Sequence, residues 1–289
     1  MRAPPRPRRS VLYLPASNAK AVAKARALAA DVIILDLEDA VAPDAKAEAR
    51  SAAVAAVREG GFGRREVLIR CNALDTEWGV DDLAAAAAAG PDAVLVPKIV
   101  SADDVRRYDT ALAAAPVQTQ LWVMIETCAV VPRLSEVAAC AGDTRLAGFA
   151  MGTNDLAKEM RARILPGRAP FLPILALTVT AARANGLVVI DGVCNAIHDE
   201  ALFGAEAAQG LEFGFDGKSL IHPAQIDACN AAFSPSPAEI AWAREVVAAF
   251  AQPDASGKGA LRVEGKMVEL LHRDQAIQIL AVAAQIAAG

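Results

Sequence analysis

Two carboxylates of this sequence lie where apolar strands are predicted to end. In VMIET, residues 123–127, three large apolar residues lead directly into Glu126. Burying such a carboxylate without a partner is costly, so Glu126 predicts a positive charge close by. Asp155 lies in MGTNDLA, where Gly152 lets the backbone approach a ligand and the turn then enters a helix.

These carboxylates predict a divalent-cation site. One carboxylate on each of two adjacent strand ends, with no histidine nearby, is an oxygen-only set of ligands. It suits Mg2+, which keeps several waters and takes one or two protein carboxylates. Arg70, two strands away, offers a planar fork for a substrate carboxylate. A structural ion pair is the competing interpretation of each of these charges.

The elements that must position these residues recur along the chain as apolar runs, each followed by an alanine-rich amphipathic stretch. Near-continuous apolar strands that alternate with helices indicate a parallel sheet covered on both faces. Eight such units indicate a closed (β/α)8 TIM barrel. The rival, an open nucleotide-binding sheet, needs a glycine-rich first turn, and PASNAK has no glycine. The predicted strands are SVLYLP, DVIILDL, EVLIRC, DAVLVP, LWVMIE, LAGFAM, LVVID and FGFDGK.

A barrel of this kind has its active site at the C-terminal ends of its strands. Because side chains alternate along a strand, the apolar neighbours of Arg70 and Glu126 can face the helices while the charges face the mouth. We interpret the acids after the second strand as scaffold and Lys98 as their countercharge. The polar residues predicted at the strand ends are Asp36, Glu38, Asp39, Arg70, Asn72, Lys98, Glu126, Asp155, Asp191, Asp216 and Lys218.

Composition excludes several other classes of protein. The net charge of -5 argues against a nucleic-acid-binding surface. No apolar run is long enough to cross a bilayer, which predicts a soluble protein. Five cysteines without CxxC pairing predict free thiols and a cytoplasmic location. The start, MRAPPRPRRS, lacks a following apolar signal core, and we expect it to be flexible and solvated.

Eight segments, in order over nearly the whole chain, carry a resemblance to a known family. They are RSVLYLPASN, ILDLEDAVAPDAKAEAR, LIRCNALDTEWGVDDL, VLVPKI, MIET, GTNDLA, DGKSLIHPAQI and SPSPAEIAWAREVVAAF. The sequence resembles the HpcH/HpaI aldolase and citrate lyase beta-subunit family, and within it the CitE-like acyl-CoA lyases.

The resemblance implies a TIM barrel over residues 1–233 and a C-terminal helical lid over residues 234–289. It implies an enzyme that cleaves a 3-hydroxyacyl-CoA, such as malyl-CoA, citramalyl-CoA or a citryl thioester, into acyl-CoA and an oxo-acid. It also implies a homotrimer or hexamer in which the lid covers a neighbour's active site. Mg2+ would be held by Glu126 and Asp155, and the oxo-acid by Arg70, the metal, and the segment Gly152, Thr153, Asn154 and Asp155.

Similar lyases carry an aspartate in a GKMID-like stretch, whereas this chain reads GKMVELL with Glu269 at that place. We predict that Glu269 is a catalytic proton-transfer group on a lid from about residue 259 to 271, with AQPDASGKG as its hinge. Alternatively, Glu269 merely begins the final helix, where the helix dipole favours an acid.

Other functions remain open. A CoA-independent, metal-dependent 2-oxo acid aldolase would keep the carboxylates and the arginine, but similar aldolases use an early histidine as base, and none precedes His198. A non-catalytic metabolite-binding barrel is the second alternative, because a fold alone does not establish activity. A citrate lyase subunit acting on an acyl-carrier-protein thioester is the third.

Overall fold

Eight parallel strands close into a barrel in chain order. The computed structural model describes residues 6–255 and 257–288. The TIM-barrel prediction is confirmed, and each of the eight predicted segments overlaps one strand. The strands are β1 (Ser10–Pro15), β2 (Val32–Asp36), β3 (Glu66–Arg70), β4 (Ala93–Val96), β5 (Gln120–Ile125), β6 (Leu146–Met151), β7 (Val188–Asp191) and β8 (Gly217–Leu220).

Alanine-rich helices, favoured by their intrinsic propensity, connect the strands. The connection between β6 and β7 contains two helices, α6 and α7, and the short first one carries Asp155. The helices are α1 (Ala19–Ala25), α2 (Lys46–Glu59), α3 (Gly79–Ala89), α4 (Ala102–Ala111), α5 (Leu134–Ala139), α6 (Thr153–Met160), α7 (Leu172–Ala184), α8 (Glu200–Phe213) and α9 (Ile226–Ala232).

Side-chain alternation divides the barrel core into two layers. Leu68 and Met124 belong to the cluster that fills the barrel, whereas Ile69 and Ile125 pack in the larger cluster beneath the helices. Arg70 and Glu126, two residues beyond Leu68 and Met124, therefore lie above the apolar filling. The inner cluster comprises Val11, Val32, Ile34, Leu68, Ala93, Leu95, Trp122, Met124, Ala150 and Ile190.

The eighth strand begins later than the sequence predicted. Asp216 precedes β8 and forms an ion pair with Arg183, with Nη2 of the arginine 2.8 Å from Oδ1 of the aspartate. Lys218 is the second residue of β8 and is fully buried. Placing both residues at the C-terminal end of this strand was therefore wrong, because Phe213 still belongs to α8 and Gly214 ends that helix in the left-handed conformation.

The arginine-rich start joins the barrel sooner than expected. Arg8 forms an ion pair with Glu66 at the start of β3, and Nε of Arg9 donates to Oδ2 of Asp31 over 2.8 Å. Ser10 is buried as the first residue of β1. The expectation of a flexible, solvated start is wrong from Arg8 onward, because these charges have acidic partners, and residues 1–5 lie outside the described part.

Residues from Ser234 onward belong to a second compact unit, distinct from the unit Arg8–Phe233. This unit contains α10 (Pro237–Phe250), the antiparallel strands β9 (Ala260–Val263) and β10 (Lys266–Glu269), and α11 (Leu270–Ala287). Its small core consists of Ala243, Val246, Val263, Val268 and Ala276. The hairpin was not predicted in this helical extension, and Ser256 of the proposed hinge lies outside the described residues.

Within residues 6–255 and 257–288, no helix combines the length and apolar character that crossing a membrane requires. All five cysteines are unpaired thiols, as predicted.

Candidate active site

Lys98 supplies the positive charge that Glu126 requires. Glu126 directly follows β5 and is 1% exposed. The backbone N–H of Lys98 donates to Oε1 of Glu126 over 2.8 Å, and the Lys98 Nζ atom lies 3.2 Å from the same oxygen. Lys98 has a φ of 55°, an uncommon backbone conformation for a residue other than glycine. The backbone N–H and the Nζ atom that contact Glu126 therefore both come from a locally constrained bend after β4.

The same lysine joins the two predicted metal ligands. Asp155 lies in the first turn of α6, and its Oδ2 atom is 2.7 Å from Nζ of Lys98. Burial alone would lower the pKa of Lys98, but the attraction of Glu126 and Asp155 outweighs it and raises the pKa. Burial raises the pKa of Glu126, with Lys98 opposing the shift. The structure thus brings the predicted pair together around one cationic atom.

The space beside Glu126 suits a small cation. Its Oε2 atom is buried and receives no hydrogen bond from any described residue. A Cβ atom on Gly152 would lie 2.6 Å from this oxygen and 2.4 Å from the Glu126 Cβ, so only glycine leaves room there. No group of three or more His, Cys, Asp or Glu residues is arranged for a metal in the described chain. A buried acceptor without a donor, next to a second carboxylate, fits the predicted Mg2+, with water and substrate as its remaining ligands.

Arg70 presents its fork to an acid of the protein. Its Nε and Nη2 atoms each donate to one carboxylate oxygen of Asp36 over 2.6 Å. Its Nη1 atom lies 2.7 Å from Oε2 of Glu38, and the guanidinium lies 5.0 Å from the centre of the Tyr13 ring. The bidentate edge that was predicted to bind a substrate carboxylate therefore binds Asp36. Nη1 is the guanidinium nitrogen that does not donate to Asp36, so it is the one that could contact a ligand.

Glu38 is a buried carboxyl group with a raised pKa. Burial raises its pKa to about 8, although Arg70 opposes the shift. The attraction of Arg70 is insufficient because the effect of burial is larger and the charges of Glu126 and Asp39 add to the upward shift. Lys98 was interpreted as the countercharge of these acids; its ammonium instead contacts Glu126 and Asp155 and acts on Glu38 only at longer range. That interpretation is corrected, since Arg70 is the direct partner.

The rest of the predicted substrate segment forms the start of α6. Thr153 is buried and lies next to Gly192. A Cβ atom added to Gly192 would lie 2.6 Å from the Thr153 Oγ1 atom. Asn154 is exposed and exchanges two side-chain hydrogen bonds with Asn195, of 3.2 and 2.8 Å. The backbone N–H groups at a helix start have no acceptor within the helix and favour anions. The segment is thus near Glu126 and available through its backbone.

Sequence reasoning missed the residue that fixes the acidic turn after β2. The buried Lys46 Nζ donates to the carbonyl oxygens of Leu37 and Glu38 over 2.8 and 2.7 Å, and to Oδ1 of Asn72 over 2.8 Å. Lys46 was counted only as part of an amphipathic helix. Its position in the first turn of α2, shortly after the acids of DLED, was the available signal.

A second buried charge cluster was only partly anticipated. Asp191 accepts from Nη1 of Arg168 over 2.7 Å and from Nζ of Lys218 over 3.0 Å. Lys218 also lies 3.2 Å from Oε2 of Glu206. Neither Arg168 nor Glu206 was predicted, because each lies in a loop or helix remote from the strand ends in sequence.

Glu269 lies in the C-terminal unit as the last residue of β10, directly before α11. Its backbone N–H donates to Nδ1 of His272 over 2.9 Å. Both interpretations of this residue, catalytic and helix-starting, are compatible with that place, and its catalytic role stays a prediction.

Residues 9–223 match the family described as HpcH/HpaI aldolase/citrate lyase. The chain belongs to this family. A (3S)-malyl-CoA thioesterase of Cereibacter sphaeroides is 49% identical over 282 residues, which cover 98% of this chain and 96% of the relative. An L-malyl-CoA/beta-methylmalyl-CoA lyase of the same organism is 34% identical over 311 residues, covering 99% and 97%.

A solved structure adds a ligand-bound relative of the family. The crystal structure of CitE from Mycobacterium tuberculosis, in complex with magnesium, acetoacetate and coenzyme A, is similar with a TM-score of 0.77. It is 31% identical, and the match covers 95% of this chain and 97% of that one. The predictions of the family and of a carbon–carbon lyase enzyme are confirmed, and the relatives named here include a CoA-ester lyase and a CoA thioesterase.

Proposed function

We propose that the protein is a Mg2+-dependent carbon–carbon lyase that cleaves a 3-hydroxyacyl-CoA thioester such as malyl-CoA, citramalyl-CoA or a citryl thioester. The products are an acyl-CoA and an oxo-acid. One observation carries the proposal: Glu126 and Asp155 meet at the barrel mouth beside Gly152, with Oε2 of Glu126 buried and without a donor from the described residues.

Glu126 and Asp155 would hold the cation, and Gly152 keeps the space beside it open. Bound there, Mg2+ supplies Lewis-acid stabilisation of the negative charge that develops on the substrate's hydroxyl oxygen. The relative from Mycobacterium tuberculosis was crystallised with magnesium and coenzyme A, which supports the same cofactor and substrate class here.

Arg70 orients the substrate. Asp36 holds the guanidinium by its Nε and Nη2 atoms, so Nη1 has one fixed direction. Below about pH 8 Glu38 is protonated, and Nη1 then keeps a donor for the substrate carboxylate without a competing negative charge. The first-turn N–H groups of α6 add a second region that favours an anionic oxo-acid. Fixing both ends of the oxo-acid holds the scissile bond in register.

Cleavage requires two proton transfers. The hydroxyl proton passes to solvent water as the bond between the α and β carbons breaks, and the electron pair of that bond passes to the thioester half as an enolate. The enolate carbon then takes a proton to give the acyl-CoA. We assign this second transfer to Glu269, supplied by the C-terminal unit of a neighbouring copy in a homotrimer or hexamer. Losing such a group typically lowers the rate by about 10²- to 10⁴-fold.

Hydrolysis of the same thioester is the second candidate, because the relative that is 49% identical is named a (3S)-malyl-CoA thioesterase. In that reaction water adds to the thioester carbonyl, the carbon–sulfur bond breaks, and the CoA thiolate takes up a proton. The substrate and the groups that hold it are the same, so the two reactions differ only in which bond breaks.

Product analysis distinguishes these reactions. The protein should be incubated with Mg2+ and a panel of malyl-, citramalyl- and citryl-CoA, with mass spectrometry of the CoA species. Acetyl-CoA together with glyoxylate, from malyl-CoA, supports the lyase; malate with free CoA supports hydrolysis. Turnover of CoA-free 2-oxo acid aldols alone, or of an acyl-carrier-protein thioester alone, would replace the proposal with the corresponding alternative.

A further inference from the structure

We propose that Lys98 competes with the divalent cation for its site: its ammonium holds Glu126 and Asp155 together in the metal-free protein and leaves when the cation binds. Lys98 would thereby set the affinity of the site for its cation. The inference rests on the cation site assigned above, and it concerns a property of that site that the assignment leaves open.

The geometry places the ammonium where a cation would lie. The Lys98 Nζ atom is 2.7 Å from Oδ2 of Asp155 and 3.2 Å from Oε1 of Glu126. A divalent cation held by these two side chains needs the same region, since it must contact an oxygen of each. Two cations at that distance from shared carboxylates would repel each other strongly, so both cannot occupy it.

The backbone and the side chain of Lys98 contribute separately. The backbone N–H donates to Glu126 Oε1 over 2.8 Å and does not depend on the side chain. The Nζ atom itself is buried, but the side chain as a whole is 36% exposed and its four-carbon stem is flexible, so the ammonium can move into solvent by rotation of the stem, without unfolding the bend. Departure of the ammonium would leave Glu126 anchored through Oε1 and its Oε2 atom free for the cation.

Charge explains why the metal-free protein needs such a lysine. Without the ammonium, two carboxylates would face each other, one of them buried, and each would disfavour ionisation of the other. Lys98 removes this repulsion until the cation arrives. Lys98 therefore stabilises the site without the cation and lowers the affinity of the site for the cation.

The test is Lys98→Met, which removes the charge and keeps a long unbranched side chain. Methionine and lysine both carry a Cβ, so the positive φ at this position costs the variant and the wild type about the same. Lys98→Arg retains a cation, and Lys158→Met makes the same charge change at an exposed position of α6. Mg2+ affinity should be measured by isothermal titration calorimetry, and thermal unfolding should be followed in EDTA and in saturating Mg2+.

We expect Lys98→Met to bind Mg2+ about tenfold or more tightly, within the 5- to 150-fold range of ordinary coupling between ligands. Its midpoint of thermal unfolding should fall in EDTA and recover in Mg2+. Lys98→Arg and Lys158→Met should stay near the wild-type affinity.

Unchanged or weaker Mg2+ binding by a folded Lys98→Met variant would overturn the competition. Failure of the proposed lyase or hydrolase activity, with tighter Mg2+ binding in this variant, would remove the proposed function and leave the competition intact. Lys98→Met combined with Asp155→Ala should bind no Mg2+; retention of the tighter binding there would contradict the shared site.

Discussion

Arg70 and Asp36 form a buried bidentate ion pair in which two nitrogens of the arginine each donate to one carboxylate oxygen over 2.6 Å. The pair crosses from β3 to β2 at the barrel mouth, where the two residues are register partners. It holds the guanidinium rigid while directing Nη1 toward Glu38 and the site.

Replacing Arg70 with lysine tests whether this remaining edge acts on substrate. An ammonium is a point donor that cannot satisfy Asp36 and a substrate together, so Arg70→Lys should lower kcat/KM by about 10²- to 10³-fold. Steady-state kinetics on the preferred thioester measure this change. Arg183→Lys, at the exposed ion pair with Asp216, is the control. Near-normal kcat and KM would make Arg70 a structural ion-pair partner only.

Gly152 should tolerate no side chain. Its φ of -106° is accessible to any residue, so the cost of Gly152→Ala is steric: the new Cβ would lie 2.4 Å from Glu126 Cβ. We expect a loss of roughly 1–3 kcal/mol in the free energy of unfolding and weaker Mg2+ binding. Gly142→Ala is matched, since nothing lies within 4 Å of its Cβ position. If denaturant titration gives both variants the wild-type free energy of unfolding, the predicted clash between a side chain at position 152 and Glu126 is wrong.

Glu38 predicts a pH dependence of stability. Its pKa rises from 4.5 in the unfolded chain to about 8 in the folded one. A raised carboxyl pKa gives a contribution that is fully present below pH 4.5 and is lost as the pH rises through about 8.

Glu38→Gln cannot ionise and should flatten this decline. The free energy of unfolding should be measured at several pH values from about 4 to about 9, with exposed Glu48→Gln as the control that follows the wild type. An equally steep decline in Glu38→Gln and wild type would show that Glu38 is ionised in the folded protein.

Glu269→Gln tests the proton-transfer assignment. The amide keeps the shape of the side chain but cannot exchange a proton, so kcat should fall by about a hundredfold or more while Mg2+ affinity stays the same. Glu264→Gln, in the turn between β9 and β10, is the matched control. A Glu269→Gln variant with full kcat would show that Glu269 has no part in proton transfer and serves only as the residue before α11.

The barrel was predictable because its signal repeats. Each apolar run leads into polar residues at its end or shortly beyond it, and alternation then decides which charges face the mouth, as it does for Arg70 and Glu126. The eighth unit was placed less accurately, since FGFDGK has no long apolar run and its first residue still belongs to α8. The hairpin of the C-terminal unit was missed because its strands, ALRV and KMVE, mix charged and apolar residues and contain no apolar run.

The partners within the site were less predictable than its members. The spacing of the strands predicted that Glu126 and Asp155 lie together at the barrel mouth. No sequence pattern predicts that the ammonium of Lys98 contacts both of them. That contact depends on a left-handed bend at Lys98, a conformation that sequence patterns for lysine do not favour. Lys46 was missed for a related reason, since a buried lysine within a polar helix face looks like any exposed one.

The central claim is that a cation held by Glu126 and Asp155 drives the reaction of a 3-hydroxyacyl-CoA. Its most direct test is the rate of CoA-species conversion from malyl-CoA in EDTA and with added Mg2+, for the wild type and Asp155→Ala, with exposed Asp103→Ala as control. We predict Mg2+-dependent conversion in the wild type and Asp103→Ala, and none above background in Asp155→Ala. Equal conversion in EDTA, or an unchanged Mg2+ response in Asp155→Ala, would contradict the account.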